Sequence, residues 1–454
     1  MSITRRRLAG LMALGASAAS IVEARAQVTG RSAETVALRR RAETLHPRGR
    51  EAAADVEWRA RWDALAAAAD QLSDGEYVVR TRQALGWFKD GHTTILPFEF
   101  TGGVPAAMAQ GPFALSLPIA VRVFHDGAYV TSAKNEGAAL LGARLTRINS
   151  TDVVTLMRAW ATDWPGNDAW AHRWAGAMFS PAFLEALGAV RDPGATIRVE
   201  GVLGRRRVHA TLRPRADDGA ELHPLERAKS RVELWSDAAG PAASGNFVQR
   251  VGEAIYVSCD DLGMEVQPFG AFTRSCFEAM EDASAQRLII DLRRNGGGDN
   301  FLFEALRKRV ERSRFNRPGA LYVLISPRTF SAAQNATSRL ERETFALFVG
   351  EPSGGAPNHY GDGAVDIGAA TGLTSLISTL PWFDSYPQDQ RGWVMPDIPA
   401  PHLFADWRDG GDPALEIALT HTSDAPAEEW DGDNIFYFRR ASQAADWRPF
   451  WRQA

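Results

Sequence analysis

Four short apolar runs between residues 254 and 351 constrain the fold more than any other feature of the sequence. They read AIYVSCDDL, RLIIDLR, ALYVLIS and FALFVGE, and helical segments separate them. Apolar strands that alternate with helices are typical of a sheet that is covered on both faces. The sequence therefore predicts an α/β core over residues 248–420.

The rest of the chain changes texture twice before this core. Helical periodicity runs from residue 31 to residue 91, and short alternating runs such as IAVRVF and GAYVTSA then predict strands. A Trp-rich stretch at 154–188 interrupts these strands; its spacing is helical and favours core packing over the lining of a groove. We divide the chain into a signal peptide (1–26), a helical region (27–94), a β-rich module (95–215), a connector (216–247), the α/β core (248–420) and a tail (421–454).

The N-terminal segment has the pattern of an export signal. Arg5, Arg6 and Arg7 precede a short apolar run, and the small-residue sequence ARA ends at Ala26. The arginine pair after Thr4 is typical of the twin-arginine route. We expect a cleaved signal and an exported protein, periplasmic or secreted. No other apolar run is long enough to span a bilayer, so we expect no stable membrane anchor after cleavage.

Composition excludes several classes of protein. The chain has 454 residues, 45% of them hydrophobic, and a net charge of -4. This balance is typical of a soluble globular protein and lacks the basic excess of a nucleic-acid binder. The two cysteines, Cys259 and Cys276, could pair in an oxidising compartment or stay as buried thiols. Their spacing does not predict a zinc site.

A glycine-rich loop follows the second apolar run of the core. Asn295 and three glycines, Gly296 to Gly298, separate a predicted strand from a helix. Unhindered backbone amides in such a loop can bind a phosphate or a developing oxyanion. The loop has neither the P-loop pattern nor the dinucleotide fingerprint. It could also be a plain turn between a strand and a helix.

Ser331 begins the small-residue stretch SAAQ directly after the third apolar run. A serine at a helix start commonly caps the helix. At a strand-to-helix corner beside a glycine loop it can also be a nucleophile. A nucleophilic serine needs a base to accept its proton. The chain has no lysine after Lys308, so the candidates are His92 in the turn KDGHTTI and His359 in PNHYG, although a lone histidine in a turn is often only a surface residue.

Four motifs occur in the order found in one peptidase family. LIIDLRRNGGGD, VLISPRTFSAAQ, VGEPSGGAPN and RGWVMPDIP resemble the C-terminal-processing, or tail-specific, serine peptidases, serine peptidase family forty-one. The resemblance covers residues 246–420 and extends more loosely to the N-terminal part. It implies a ClpP–crotonase-like catalytic core and a degenerate PDZ-like module. It also implies that Ser331 is the nucleophile and that Gly296 or Gly297, with the Ala332 amide, forms the oxyanion hole.

The base of this chain differs from the base of the processing-peptidase branch. That branch uses a lysine in the stretch after GE, and the corresponding stretch here, PSGGAPNHYG, has no lysine. The chain resembles instead the tricorn-core branch, in which a histidine from an earlier domain activates the serine. That resemblance implies His92 as the base, with His359 as the alternative, and Asp389 as the assisting carboxylate. Gly91 stands where that branch has a helper serine, so Asp90 or Thr93 could take its place.

Together these features predict an exported serine peptidase that acts on peptides or proteins. The chemistry requires neither a metal nor an organic cofactor. One alternative is an inactive protein that binds a peptide or another ligand on the same fold. A crotonase-like acyl-CoA enzyme is disfavoured, because acyl-CoA is not expected outside the cytoplasm.

Overall fold

The structure is a computed structural model that describes residues 30–96, 111–216, 221–243, 245–263, 269–422 and 447–453. The expected signal peptide and most of the segment assigned as the tail, residues 421–454, lie outside these ranges. The chain forms a mixed α/β fold with several sheets, as the sequence predicts. None of the described helices is long and apolar enough to cross a bilayer.

A six-stranded sheet forms the core. In their order across the sheet, its strands are β11 (Phe247–Val251), β12 (Ala254–Ser258), β13 (Arg287–Asp291), β14 (Leu321–Ile325), β15 (Leu347–Gly350) and β20 (Ile398–Pro399). Strands β12 to β15 and β20 are parallel, and β11 is antiparallel to β12. Every residue of β12 and β14 is buried, which explains their continuous apolar sequences.

Helices cover both faces of this sheet, and each face has its own apolar cluster. One face carries α9 (Phe269–Met280), α10 (Glu304–Glu311) and α11 (Ala332–Glu343). The other face carries α8 (Arg231–Ala239) and α13 (Pro413–Thr420), with α12 (Phe404–Asp409) just before α13. Helix α8 lies in the segment that we interpreted as a polar connector. A Ser230–Glu233 capping box starts it, and buried Val232 attaches it to the sheet.

Four helices form the N-terminal region, as the periodicity predicts. They are α1 (Arg31–Leu45), α2 (Gly49–Ala54), α3 (Val56–Ala68) and α4 (Asp74–Leu85). A capping box between Ser73 and Glu76 starts α4. Their buried side chains, among them Trp58 and Trp62, share one apolar cluster with the β-rich module.

An antiparallel seven-stranded sheet forms the β-rich module; its likeness to a PDZ domain stays a prediction. Its strands are β3 (Ile119–Phe124), β4 (Gly127–Ala133), β5 (Arg144–Ile148), β6 (Thr151–Asp152), β7 (Ile197–Leu203), β8 (Arg206–Leu212) and β10 (His223–Pro224), and β2 (Leu115–Ser116) pairs with β9 (Arg215–Ala216) beside it. The Trp-rich insert is helical and forms α5 (Val153–Ala161), α6 (Asp168–Trp174) and α7 (Pro181–Ala186). The chain segment Phe450–Gln453 is α14 and packs on α5.

A small three-stranded sheet joins the N-terminal region to the α/β core. Strand β1 (Thr94–Leu96) pairs antiparallel with β18 (Thr374–Ile377), which also pairs with β17 (Ala364–Ile367). Nearby, β16 (Asn358–Gly361) pairs with β19 (Leu380–Phe383). The β1–β18 pairing brings the turn before β1, which contains His92, to the core.

Candidate active site

The glycine loop is held in place by the buried side chain of Asn295. Its amide nitrogen donates to the Cys259 carbonyl at 2.8 Å, and its amide oxygen accepts from the Gly297 amide at 2.8 Å. Its backbone carbonyl accepts from the Phe330 amide at 3.2 Å. One residue therefore fixes the loop to the end of β12 and to the residue before Ser331.

The segment that leads to Ser331 is attached to the loop that leads to the glycines. The Ser326 hydroxyl donates to the Arg293 carbonyl at 2.6 Å, and the Thr329 hydroxyl donates to the Leu292 carbonyl at 2.9 Å. Arg293 is in turn paired with Asp291 and Asp412. The two loops at the carboxyl ends of β13 and β14 therefore form one rigid unit, which is the usual place for a site in a parallel sheet.

Ser331 has a strained backbone and does not cap α11. Its φ of 56° and ψ of -128° are unusual for a residue with a side chain. The expected capping bond is absent, so that part of the sequence interpretation is wrong. A serine in this conformation cannot aim its oxygen back at the first helical amides as an ordinary cap does. Within the described residues the hydroxyl makes no hydrogen bond.

Gly297 lies against Ser331 so closely that no side chain fits there. A Cβ atom at Gly297 would lie 2.4 Å from the Ser331 Cβ and 3.0 Å from the Ala332 amide nitrogen. The φ of Gly297 is 109°, in the region that favours glycine. The glycine sequence is therefore required by the close approach of the two loops. The Gly297 amide itself is already bonded to Asn295.

His92 lies against Phe330, the residue before Ser331, with its ring in a stack of aromatic side chains. It stacks on Phe330 with ring centroids 4.3 Å apart and on His359 at 5.7 Å. The ring of Trp170 in α6 also stacks on Phe330, with ring centroids 3.8 Å apart. Both ring nitrogens of His92 are buried without a hydrogen bond to any described residue, so no such bond joins His92 to the Ser331 hydroxyl. Catalytic hydrogen bonds are often longer when no substrate is bound.

Asp90 is the carboxylate next to His92. Its Oδ1 lies 3.6 Å from His92 Nδ1 and accepts from the His92 amide at 3.0 Å. Its Oδ2 accepts from the hydroxyls of Thr93 at 2.6 Å and Ser378 at 2.5 Å. Burial opposes ionisation of Asp90, but these hydrogen bonds and the imidazoles of His46 and His92 hold its pKa well below the usual range. Asp90 is therefore a fixed negative charge behind His92.

His46, at the end of α1, approaches Asp90 from the other side. Its Nε2 lies 3.5 Å from Asp90 Oδ2, and its ring packs on Phe88 with centroids 3.9 Å apart. The Arg48 amide donates to His46 Nδ1 at 3.0 Å. Because Nδ1 is an acceptor, the proton of a neutral His46 is on Nε2 and faces the carboxylate.

His359, the alternative base, is buried on β16. Its Nδ1 lies 3.1 Å from the Ala356 carbonyl and donates to it. Burial, and then the charge of His92, lower the pKa of His359 to about 4. A base with so low a pKa is neutral at pH 7 but accepts a proton weakly.

Asp389 lies in a different network from His92. Its carboxylate accepts from the Ser385 hydroxyl at 2.6 Å and pairs with Arg391, which also binds Glu341 of α11. Burial raises the pKa of Asp389, but Arg391 and Ser385 outweigh this effect and lower it. The carboxylate that contacts His92 is Asp90. Asp389 is paired with Arg391 instead.

The sequence left open whether the two cysteines form a disulfide or stay as thiols. In the structure both are free, buried thiols. Across the residues that the structure describes, no three His, Cys, Asp or Glu side chains are grouped as they would be around a metal ion.

Sequence reasoning missed His46 and Ser378, two of the residues around Asp90. His46 has no motif around it, and Ser378 reaches Asp90 only through strand pairing.

Comparison with solved structures shows the fold. A structure of mature CPAF complexed with lactacystin superimposes with a TM-score of 0.55 at 12% identity, covering 86% of this chain and 97% of that one. Mature CPAF alone gives a TM-score of 0.54 at 12% identity and covers 86% and 95%. The chain shares the fold of CPAF. The tricorn protease is a weaker match, with a TM-score of 0.41 at 13% identity over 86% of this chain and 36% of that one. No protein-family model and no curated protein sequence matches the chain.

Proposed function

We propose that this protein is a serine peptidase in which Ser331 is the nucleophile, His92 the base and Asp90 the orienting carboxylate. The observation that carries the proposal is the strained backbone of Ser331, whose hydroxyl has no structural role among the described residues. Such strain persists only when the surrounding structure enforces it, and it concentrates at functional sites. It supports a peptidase over an inactive binding protein, which has no need of it.

In the proposed mechanism His92 takes the proton of Ser331 as the hydroxyl oxygen attacks a peptide carbonyl. The imidazolium that forms gives this proton to the leaving amine, and a water molecule then hydrolyses the acyl-enzyme by the same steps. Asp90 stabilises the imidazolium and stays ionised throughout. No hydrogen bond holds His92 to Ser331, so substrate binding must bring the two groups together.

Backbone amides stabilise the tetrahedral oxyanion in this mechanism. The Ala332 amide is the first of α11 and has no acceptor within its helix. We assign the Gly296 amide as the second donor, because the Gly297 amide is engaged by Asn295. Each such donor typically contributes about 3–4 kcal/mol to transition-state stabilisation.

A fluorophosphonate probe tests the nucleophile directly. We expect the folded protein to be labelled at Ser331, and Ser331→Ala to lose both the labelling and the cleavage of a peptide mixture. Ser275→Ala is the matched control, because Ser275 is an exposed serine of α9. Failure of the folded wild-type protein to react, together with no cleavage of the mixture, would refute the peptidase and favour a binding protein.

Two histidine variants then test the base. His92→Ala should abolish labelling and cleavage, whereas His359→Ala should keep a measurable part of both. His359 contacts His92 only through ring stacking, so its loss disturbs the position of the base without removing it. The opposite result, in which only the His359 variant is inactive, would assign the base to His359.

We also propose that the protein is exported by the twin-arginine route. The arginine cluster and the ARA sequence support this proposal. Replacing Arg5 and Arg6 by lysine should leave the uncleaved protein in the cytoplasmic fraction. Unchanged cleavage and export of that variant would exclude the route.

A further inference from the structure

One face of the sheet in the β-rich module carries a cluster of arginines. Residues that are paired directly across antiparallel strands have their side chains on the same face of a sheet. The register pairs Arg144 of β5 with Val202 of β7, and Val202 with Arg207 of β8. Both arginines are exposed. Since neighbouring strands lie about 4.8 Å apart, the backbones of Arg144 and Arg207 are about 10 Å apart.

The next rows of the same face add two more arginines. Arg147 of β5 lies opposite Glu200 of β7, and Arg198 lies two residues before Glu200 on the same strand. Both arginines are exposed, whereas Ile197 and Val199, on the opposite face of β7, are buried in the apolar core. The arginines therefore lie on the solvent side of the sheet.

The hairpin between β7 and β8 adds three consecutive arginines at the rim of this face. Leu203 pairs with Arg206, so that Gly204 and Arg205 form a two-residue turn. None of the three arginine side chains makes a hydrogen bond or an ion pair with a residue that the structure describes, and all three are exposed. We name the whole cluster the arginine face, and it consists of Arg144, Arg147, Arg198, Arg205, Arg206 and Arg207.

Two acids lie among these arginines and leave most of the positive charge unpaired. Glu200 pairs with Arg198 at 2.8 Å, and Asp152 of β6 lies 3.9 Å from Arg147. Within the described ranges, Arg144 and the hairpin arginines have no ion pair. The arginine face therefore has a net positive charge, although the whole chain has a net charge of -4.

Protection of a sheet edge does not explain this distribution of charge. Strand β8 is at an edge of the module, and charged residues on an edge strand discourage its pairing with another chain. Arg144 and Arg147, however, are on β5, which is paired on both sides. Charges on that strand protect no edge, so a binding partner explains the arginine face better.

The composition of the arginine face favours a lipid surface over a macromolecule. Single-stranded nucleic acids usually bind on aromatic side chains, and protein interfaces usually have an apolar centre. At the positions of this face that the structure describes, β5, β7 and β8 carry no Phe, Tyr or Trp, and Val202 is the one apolar side chain. Tyr129 of β4 lies beside Arg144, but its ring stacks on Phe404 of α12 at 4.0 Å. A bilayer surface requires neither aromatic stacking nor an apolar centre.

We propose that the arginine face binds the surface of a bilayer that contains anionic phospholipids. Guanidinium groups bind phosphate oxygens through paired N–H donors. Each arginine near an anionic surface adds to the attraction, which falls off within a Debye length. Binding is therefore reversible and weakened by salt. This proposal does not depend on the role of Ser331.

Co-sedimentation with vesicles tests the lipid surface. Vesicles of phosphatidylcholine alone are compared with vesicles that also contain phosphatidylglycerol, at low and at high salt. We expect the protein to bind only the anionic vesicles and to be released from them by salt. Equal binding to both kinds of vesicle, or binding to neither at low salt, would overturn the proposal.

Arginine variants locate the binding surface. Arg205→Gln, Arg206→Gln and Arg207→Gln together should weaken binding on the order of a hundredfold, and Arg144→Gln alone about fivefold. The matched control removes the same charge from exposed arginines on other elements, and it combines Arg40→Gln of α1, Arg274→Gln of α9 and Arg312→Gln after α10. We expect the control to bind as the wild type does. Unchanged binding of the hairpin variant or of Arg144→Gln, or an equal loss in the control, would show that the arginine face is not the binding surface.

Two further measurements separate the alternatives. If the protein binds a single-stranded oligonucleotide and not the anionic vesicles, the arginine face is a nucleic-acid site and the lipid proposal is wrong. Fluorophosphonate labelling of the hairpin variant should equal that of the wild type, because the arginine face is outside the proposed catalytic machinery. Vesicle binding by a protein that the probe does not label would support the lipid surface and refute the peptidase.

Discussion

Asp90 is held by groups from three separate parts of the chain. Thr93 is its near neighbour, His46 ends α1, and Ser378 follows β18. These contacts fix the carboxylate before any substrate binds, so it can stabilise a positive charge on His92 without reorganisation. The hydroxyl donors of Thr93 and Ser378 offset the cost of burying this charge.

Asp90→Asn should therefore remove most of the activity. We expect kcat to fall on the order of a thousandfold, because the imidazolium loses its carboxylate, while KM changes little. Steady-state kinetics of the variant and the wild type measures both constants, and a kcat close to the wild-type value would argue against the assignment.

Asp389→Asn is the comparison for that experiment. Arg391 pairs with both Asp389 and Glu341. In the Asp389→Asn protein, Arg391 keeps only its ion pair with Glu341. We expect lower stability and a nearly unchanged kcat for this variant.

The sequence identified the position of Ser331 and two histidine candidates, because each stands in or near a recognisable motif. It left open a capping role for Ser331 that the structure does not show. It could not identify His46, whose contact with Asp90 depends on how α1 packs. Local sequence does not encode which distant side chains meet around a buried charge.

At the scale of elements, the glycine loop and the Ser331 segment act as one unit. Gly297→Ala would place a methyl group against the Ser331 Cβ and would also require an unfavourable φ. We expect a loss of about 1–3 kcal/mol in the free energy of unfolding. We also expect a fall of about a hundredfold in kcat/KM, because the nucleophile is displaced.

Gly204→Ala separates these two effects. Gly204 has a φ of 61° in the turn after β7, and a Cβ there would contact nothing within 4 Å. This variant should lose stability from backbone strain but keep full activity. Urea denaturation and fluorophosphonate labelling of both proteins make the comparison, and equal activity of the two variants would contradict the role of Gly297.

Apolar runs predicted the core strands well, because a sheet buried on both faces requires them. Helix α8 was not expected, because it is nine residues long and buries only Val232, so its sequence shows little helical periodicity. The pairing of β1 with β18 was also beyond prediction. Strand partners far apart in sequence are chosen by the packing of the elements around them.

At the scale of the whole molecule, the site depends on the docking of the N-terminal helices on the core. Glu34 of α1 accepts from the amides of Ala370 and Thr371, at 2.8 and 3.1 Å, and from the Thr371 hydroxyl at 2.5 Å. These residues form the turn between β17 and β18, and β18 pairs with the strand that follows His92. Glu34 therefore ties the helical region to the hairpin that positions the base.

Glu34→Ala should loosen this connection and act on the base from a distance. Removing a buried carboxylate that accepts three hydrogen bonds leaves their donors unsatisfied, which costs about 2–4 kcal/mol of stability. We expect hydrogen exchange to accelerate together in residues 90–96 and 370–378, while β12 to β15 stay protected. Activity should fall in the same variant because His92 is less well placed. Glu57→Ala, at an exposed position of α3, is the control and should change neither property. Faster exchange that is confined to α1, with β1 and β18 still protected, would mean that the hairpin holds His92 without the help of the N-terminal helices.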